Sequence, residues 1–366
     1  AGSSAASDVY KRQIFLFLGG FVLALAIEKV NLHKRMALTM LLMVGNNGKL
    51  LIGGFMLVSA LISMWIMNTS TTLMLLPIAL AVTAVIQKTD KSLEETEFTK
   101  FQTCLLLGIA YAATIGGMST IVGTGPNVLV VGLLLDEGIQ IDFIDWMLFA
   151  TPMSAIMLLV GWLILTNVVF PVDFTSNKET GNALKKMHSD LGKISKDERL
   201  VFYIFLATAF AWMFKKVLVL IPGFGGLTDY GIAILSALSL FIARSSNGGG
   251  LIEWNVTKNL PWGVLILFGG GLSMAGQIKK TGLGDWIGSF FTTFSDISPI
   301  FLILLVVVIV VFLTELTSNQ ATTATFVPIM FGVAMGIGFD KAQVAIPVAL
   351  AASCAFMLPV ATPPNA

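Results

Sequence analysis

Long apolar runs, broken at intervals by short polar clusters, set the pattern of this chain. Ile14–Ile27 is a first apolar segment, short for a membrane span unless it extends into Glu28–Val30. A basic connection of Lys29, His33, Lys34 and Arg35 leads into Met36–Val44. That stretch reads as a helix lying along the interface, with its cations reaching for water. From Leu50 to Gln87 no charged residue occurs, and the cluster SMWIMNTSTT sits in the middle. Each arm beside it falls short of the roughly 20 residues of a comfortable span, so a re-entrant helical hairpin with a polar tip is expected. Phe101–Leu135 is again uncharged, but IGGMSTIVGTGPN (Ile115–Asn127) interrupts it. Its glycines and proline unwind a helix and free backbone groups. Trp146–Phe170, Leu200–Ile221, Tyr230–Ala243 and Leu260–Ile278 read as further apolar segments, and Trp286–Phe294 as an interfacial piece. A second hairpin is expected at 298–339, then Val344–Val360 running into ATPPN (Ala361–Asn365). The predicted class is therefore an all-α polytopic membrane protein.

The polar clusters come in pairs. SMWIMNTSTTLMLLPI (Ser63–Ile78) lies over TELTSNQATTATFVPI (Thr314–Ile329), so that Asn68 meets Asn319, Thr71-Thr72 meets Thr322-Thr323, and Pro77-Ile78 meets Pro328-Ile329. GTGPN (Gly123–Asn127) is mirrored by ATPPN in the same order. Polar clusters inside hydrocarbon are expensive unless they are buried in protein or bind something. The same cluster once per half is the mark of a repeat-built transporter with its site near the midplane.

Composition sharpens this. The 366 residues are 56% hydrophobic and 12% charged, with a mean hydropathy of +0.87, outside the range of soluble domains. A net charge of +1 without a basic patch excludes nucleic acid as a partner. Cys104 and Cys354 both lie in apolar runs and read as core residues, and His33 and His188 lie in polar connections, leaving little for a histidine metal site. The longest polar loop, 171–199, carries Lys178, Lys185, Lys186, Lys193, Lys196 and Arg199, and falls on the same side as Lys34. That side is expected to be cytoplasmic. Residues 1–13, polar and without an initiating Met, read as a non-native or disordered leader.

Serine and threonine in membrane helices usually bond back to a carbonyl and do nothing else. What raises these above that reading is the duplication and the amide at the matched position, since an amide both donates and accepts. The four site segments contain no Lys or Arg. An anion held there needs helix N-termini and a cation beside it, and neutral oxygens suit sodium. Glu315 has two readings, a cation ligand or proton carrier, or a structural group. The second is favoured because its matched position is Met64.

MNTSTTLMLLPIA, IGGMSTIVGTGPN, LTELTSNQATTATFVPI and LPVATPPNA resemble the divalent-anion:sodium symporters, the INDY-type dicarboxylate and citrate transporters. The resemblance covers Ile14–Ala366 and implies a homodimer in the cytoplasmic membrane, with scaffold and transport parts that move as an elevator. It assigns 14–48 and 200–292 to scaffold, 49–170 and 293–366 to transport, and 171–199 to a cytoplasmic loop. Within the transport parts it places hairpins at 49–88 and 298–339 and broken helices at 101–135 and 342–366. By comparison, the chain is expected to lack the first two spans, most of the last broken helix and the final span. The resemblance also implies one sodium site at Ser63, Asn68 and the backbone of Gly116, and a second at Thr314, Thr317, Asn319 and the backbone of Ala361. Substrate carboxylates would be met by Asn68, Thr69, Ser318, Asn319, Gln320, Thr362 and Pro363. Two departures from the Ser-Asn-Thr pattern stand out, Met67 and Gln320.

The expected function is sodium-coupled symport of C4-dicarboxylates such as succinate, malate and fumarate. The alternative is a sodium-independent anion exchanger; in this family such exchangers place a basic side chain where sodium would sit, and these motifs have none. A membrane enzyme would need a nucleophile with a base, and only Cys354 and Glu315 lie nearby, without a histidine. A channel fits poorly with hairpins that end at midplane.

Overall fold

The computed structural model describes the backbone of residues 2–43, 47–89, 94–173, 178–246, 248–283, 286, 289 and 298–365. Among these residues there is no β-strand. Helix α1 (Gly2–Lys29) continues back through the stretch read as a leader. It bends by 69° into α2 (Leu32–Leu41). The bend is made at Asn31, whose φ of 58° is left-handed, a conformation that asparagine tolerates better than most residues. His33 Nδ1 against Ile27 O (3.0 Å) and Lys29 Nζ donating to Leu251 O (2.8 Å) hold it. His33 is therefore buried rather than in a solvated connection.

Next come α3 (Gly48–Ser63) and α4 (Asn68–Thr89), separated by a four-residue break. The two arms are unequal. Asn68–Lys88 is itself long and apolar enough to cross a membrane, because the hydroxyl cluster forms the first turn of α4 instead of a separate tip loop. Helix α5 (Glu95–Met118) breaks and resumes as α6 (Gly125–Asp136). Helix α7 (Phe143–Ile164) follows. The loop at 171–199 contains a helix, α8 (Lys178–Asp190), packed on α4 and α2. Thr180 and Leu184, buried, with Met187 and, just past its end, Leu191, half-buried, give it an inward stripe at helical spacing.

The second half supplies α9 (Lys196–Met213), the short α10 (Lys215–Leu218), α11 (Asp229–Ile242) and α12 (Trp262–Lys280). The interfacial piece expected at Trp286–Phe294 lies almost wholly outside the described residues. Then α13 (Pro299–Thr314), a break and α14 (Asn319–Ile337) repeat the α3–α4 arrangement. Helix α15 (Lys341–Ser353), a second break and a 3-10 turn at Pro363–Asn365 repeat α5–α6. Three described helices are long and apolar enough to cross a membrane, or four with the bent α1–α2 pair.

Packing sorts these elements into two groups. Helices α1, α9 and α11 pack on one another, while α3–α7 and α13–α15 form the other body. Between the groups Lys215 donates to Asp142 (2.6 Å) and Lys216 to Asp145 (2.5 Å), while Lys215 also donates to Asp229 of α11 (3.0 Å). Burial pulls the Asp142 carboxyl up, but the hydrogen bonds and charge of Lys215 outweigh it and hold it below the usual range.

Candidate functional site

Each break puts an asparagine at the start of a helix and ties it to the end of the helix before. Ser63 Oγ donates to Asn68 Oδ1 (2.7 Å), and the matched Thr314 Oγ1 lies 3.0 Å from Asn319 Oδ1. Thr72 donates to Asn68 O (3.0 Å) as Thr323 does to Asn319 O (2.8 Å). The matched residues thus make matched bonds. The departures do not. Ser318 Oγ accepts from Ala321 N (3.2 Å), and Thr317 and Thr322 share a hydrogen bond of 2.6 Å. The equivalents of Ser318 and Thr317 are Met67 and Ile66, which offer no oxygen, and Thr71 Oγ1 is buried without a partner.

The breaks in the other helix pair are held by amides. Asn127 Nδ2 donates toward Gly117 O (3.3 Å), Met118 O (3.1 Å) and Thr120 O (2.8 Å), carbonyls left free where α5 ends. Asn365 Nδ2 does the same for Ala355 O (2.9 Å) and Leu358 O (3.3 Å). In both residues Oδ1 is buried and has no protein partner. Sequence reasoning passed over these two asparagines, although they close the paired GTGPN and ATPPN motifs.

Tips and breaks are bonded to one another. Thr120 Oγ1 donates to Met64 O (2.5 Å). In the second half the buried Glu315 carboxylate accepts from Met357 N (3.0 Å) and Leu358 N (2.8 Å). Glu315 is thereby a backbone cap, which agrees with its structural reading.

All four segments meet around a cavity of about 310 Å³. Its wall includes every residue expected to meet substrate, namely Asn68, Thr69, Ser318, Asn319, Gln320, Thr362 and Pro363, together with Met67 and Ala361. Phe21 of α1 and Val264 of α12 complete it, apolar positions that looked like ordinary span residues. Ser63 and Thr314 stand behind the asparagines, fully buried, and Thr317 lies off the wall. Gly116 is packed against the backbone of Ala60, and its carbonyl accepts from Ser119 N (3.0 Å). The glycine that faces Asn68 Oδ1 is the next one, Gly117.

Among the described residues no Asp, Glu, Lys or Arg lines the cavity. First-turn residues of α4, α6 and α14 do, so three helix N-termini, each equivalent to roughly half a positive charge, are directed at it. Among the described residues no group of three or more His, Cys, Asp or Glu is placed to hold a metal ion.

The family described as the sodium:sulfate symporter transmembrane region matches residues 2–366. The chain is 38% identical over 359 residues to the sodium-dependent dicarboxylate transporter SdcS of Staphylococcus aureus strain USA300, covering 96% of this chain and 69% of that one. SdcS of strain COL matches to the same extent. The chain belongs to this family of divalent-anion:sodium symporters, multi-pass membrane transporters and not enzymes.

Proposed function

We propose that this family member is a sodium-coupled symporter of C4-dicarboxylates, such as succinate, malate and fumarate, in the cytoplasmic membrane. The observation that carries the reading is the uncharged cavity on which two matched asparagine tips and two broken helices converge. An isolated anion in a low-dielectric site is very costly. Helix N-termini offset part of that cost. Sodium, the coupling ion of the family, offsets the rest.

In this reading Asn68 and Thr69 meet one carboxylate of the substrate, and Ser318, Asn319 and Gln320 meet the other. Thr362 and Pro363 border the space between them. One sodium ion is held by Ser63, Asn68 and backbone oxygen near Gly116, the other by Thr314, Thr317, Asn319 and backbone at Ala361. The donor set fits a hard monovalent cation. It is made of hydroxyl, amide and carbonyl oxygens, and Asn127 Oδ1, Asn365 Oδ1 and Thr362 Oγ1 are buried close by without protein partners. The helix group that carries the cavity moves as an elevator against α1, α9 and α11, and the protein works as a homodimer with the 171–199 segment cytoplasmic.

Uptake of labelled succinate into proteoliposomes tests this. It is expected to require sodium and to collapse in Asn68→Ala and in Asn319→Ala while both variants still insert. By linkage, succinate tightens sodium binding by the factor with which sodium tightens succinate. Equal succinate affinity in sodium and in choline buffer refutes symport and leaves an exchanger of the same fold.

A further inference from the structure

Gln320 is the longest polar side chain on the cavity wall, and it lies across the first residue of α6. A methyl group placed on Gly125 would stand 2.5 Å from Gln320 Nε2, 2.7 Å from Cγ and 2.9 Å from Cδ. Real contacts of that kind do not occur, so the glutamine keeps its present position only because residue 125 is glycine. The φ of Gly125 is not left-handed, so no positive φ calls for glycine there. The space taken by Gln320 is what demands glycine there.

The other half of the molecule shows the reverse arrangement. In the paired motifs Thr69 occupies the position of Gln320, and Pro363 occupies the position of Gly125. Both line the same cavity, and α4 packs on the Pro363–Asn365 turn as α14 packs on α6. A short side chain is thus matched with a ring in one half, and a long side chain lies across a bare backbone in the other. Packing density requires that bulk gained on one side be given up on the other.

From this we infer that Gly125 is a specificity-determining position, whose effect on the substrate runs through the seat of Gln320. The inference rests on the dicarboxylate reading above. A side chain at 125 tilts Gln320 into the cavity and shortens the longest dianion that fits. Gly123, two residues earlier, gives the contrast, because a methyl group there would press on the backbone of Gly117, which cannot swing aside.

The test is competition against labelled succinate uptake by unlabelled succinate and by the five-carbon dicarboxylate glutarate, in the full chain in proteoliposomes. Gly125→Ala is expected to lower the glutarate-to-succinate affinity ratio about tenfold, the scale on which a pocket discriminates one methylene. Adding Gln320→Thr is expected to restore the ratio to within about twofold, a coupling that independent sites would not show. In Gly123→Ala the same second substitution restores nothing. An unchanged ratio in Gly125→Ala, or equal effects of Gln320→Thr with and without the alanine, overturns the inference. If neither dicarboxylate competes in the parent protein, the failure belongs to the substrate reading instead. Should Gly125→Ala fail to insert, Gly125→Ser with and without Gln320→Thr gives the same comparison. A ratio in Gly125→Ser that Gln320→Thr does not move then overturns the inference.

Discussion

Replacing Glu315 decides between two roles that a carboxylate at membrane depth can have. Its two oxygens accept from Met357 N and Leu358 N at 3.0 and 2.8 Å, and the residue is 3% exposed. Bonds from a backbone amide to a charged group are worth about 1.5–3 kcal/mol each. Glu315→Ala removes both, and the broken segment after α15 loses its tie to the second tip, a cost of about 3–6 kcal/mol. Glu315→Gln keeps one acceptor and turns an amide NH₂ toward the other N–H, so roughly half of that loss is expected. If capping is the whole role, thermal unfolding of the solubilised protein shifts down in the order Ala, Gln, parent. The sodium concentration for half-maximal succinate uptake stays where it was, because Glu315 does not line the cavity. A glutamine variant as stable as the parent but altered in its sodium or proton dependence would refute the reasoning and make Glu315 a coupling residue.

Two further outcomes follow from pairs of neighbours that look alike in sequence. Lys215 is buried between Asp142 and Asp229, whereas Lys216 and Asp145 are half in solvent, at 55% and 40% exposure. Lys215→Met leaves two carboxylates without their cation and is expected to destabilise by about 3–5 kcal/mol, while Lys216→Met leaves the melting temperature unchanged; equal shifts in a melting experiment would contradict the placement. Thr71 and Thr322 are matched in the repeat, but only Thr322 has a side-chain partner, Thr317. Thr322→Val is expected to cost about 1 kcal/mol and Thr71→Val nothing measurable, and the reverse order in chemical unfolding would show that the halves are not bonded as described.

The site was more legible in the sequence than the frame around it. The duplicated amide within uncharged apolar runs pointed to Asn68 and Asn319, whereas Thr69, Gln320 and Thr362 came with the family resemblance; all five line the one cavity. Phe21 and Val264 could not, because an apolar residue that faces a cavity has the same neighbours in sequence as one that faces lipid. Helix α8 was hidden for another reason. Its stripe from Thr180 to Leu191 is only four residues, one of them a threonine, and is surrounded by lysines, so charge density masked the period. The tie between Lys215 and Asp142 links residues 73 apart, a separation at which no local pattern records a pairing. Glu315 shows the limit of repeat reasoning. Its matched Met64 favoured a structural group, yet only the fold reveals that the backbone at 357–358 receives it.

The bonds between halves also explain why the two sets of motifs act as one site. Tyr111 OH donates to Phe356 O (2.7 Å), Lys341 pairs with Glu137, and α6 packs on both α14 and α15, so the broken helices of the two halves form one body. Against the other group that body leans through its first tip. Trp65, in the same break as Met67, stacks on Phe143 (6.0 Å, 20°) and on Trp212 (6.5 Å, 8°), and sets its edge to Phe205 (5.1 Å, 88°). Residues 64–67 therefore touch the cavity at one end and the neighbouring helix group at the other. In the symport reading, an ion that orders Ser63 and Asn68 also orders the turn that carries Trp65. Binding at the tip and sliding between the groups then draw on the same four residues, which gives a ligand of differential affinity a physical route to the equilibrium it has to shift.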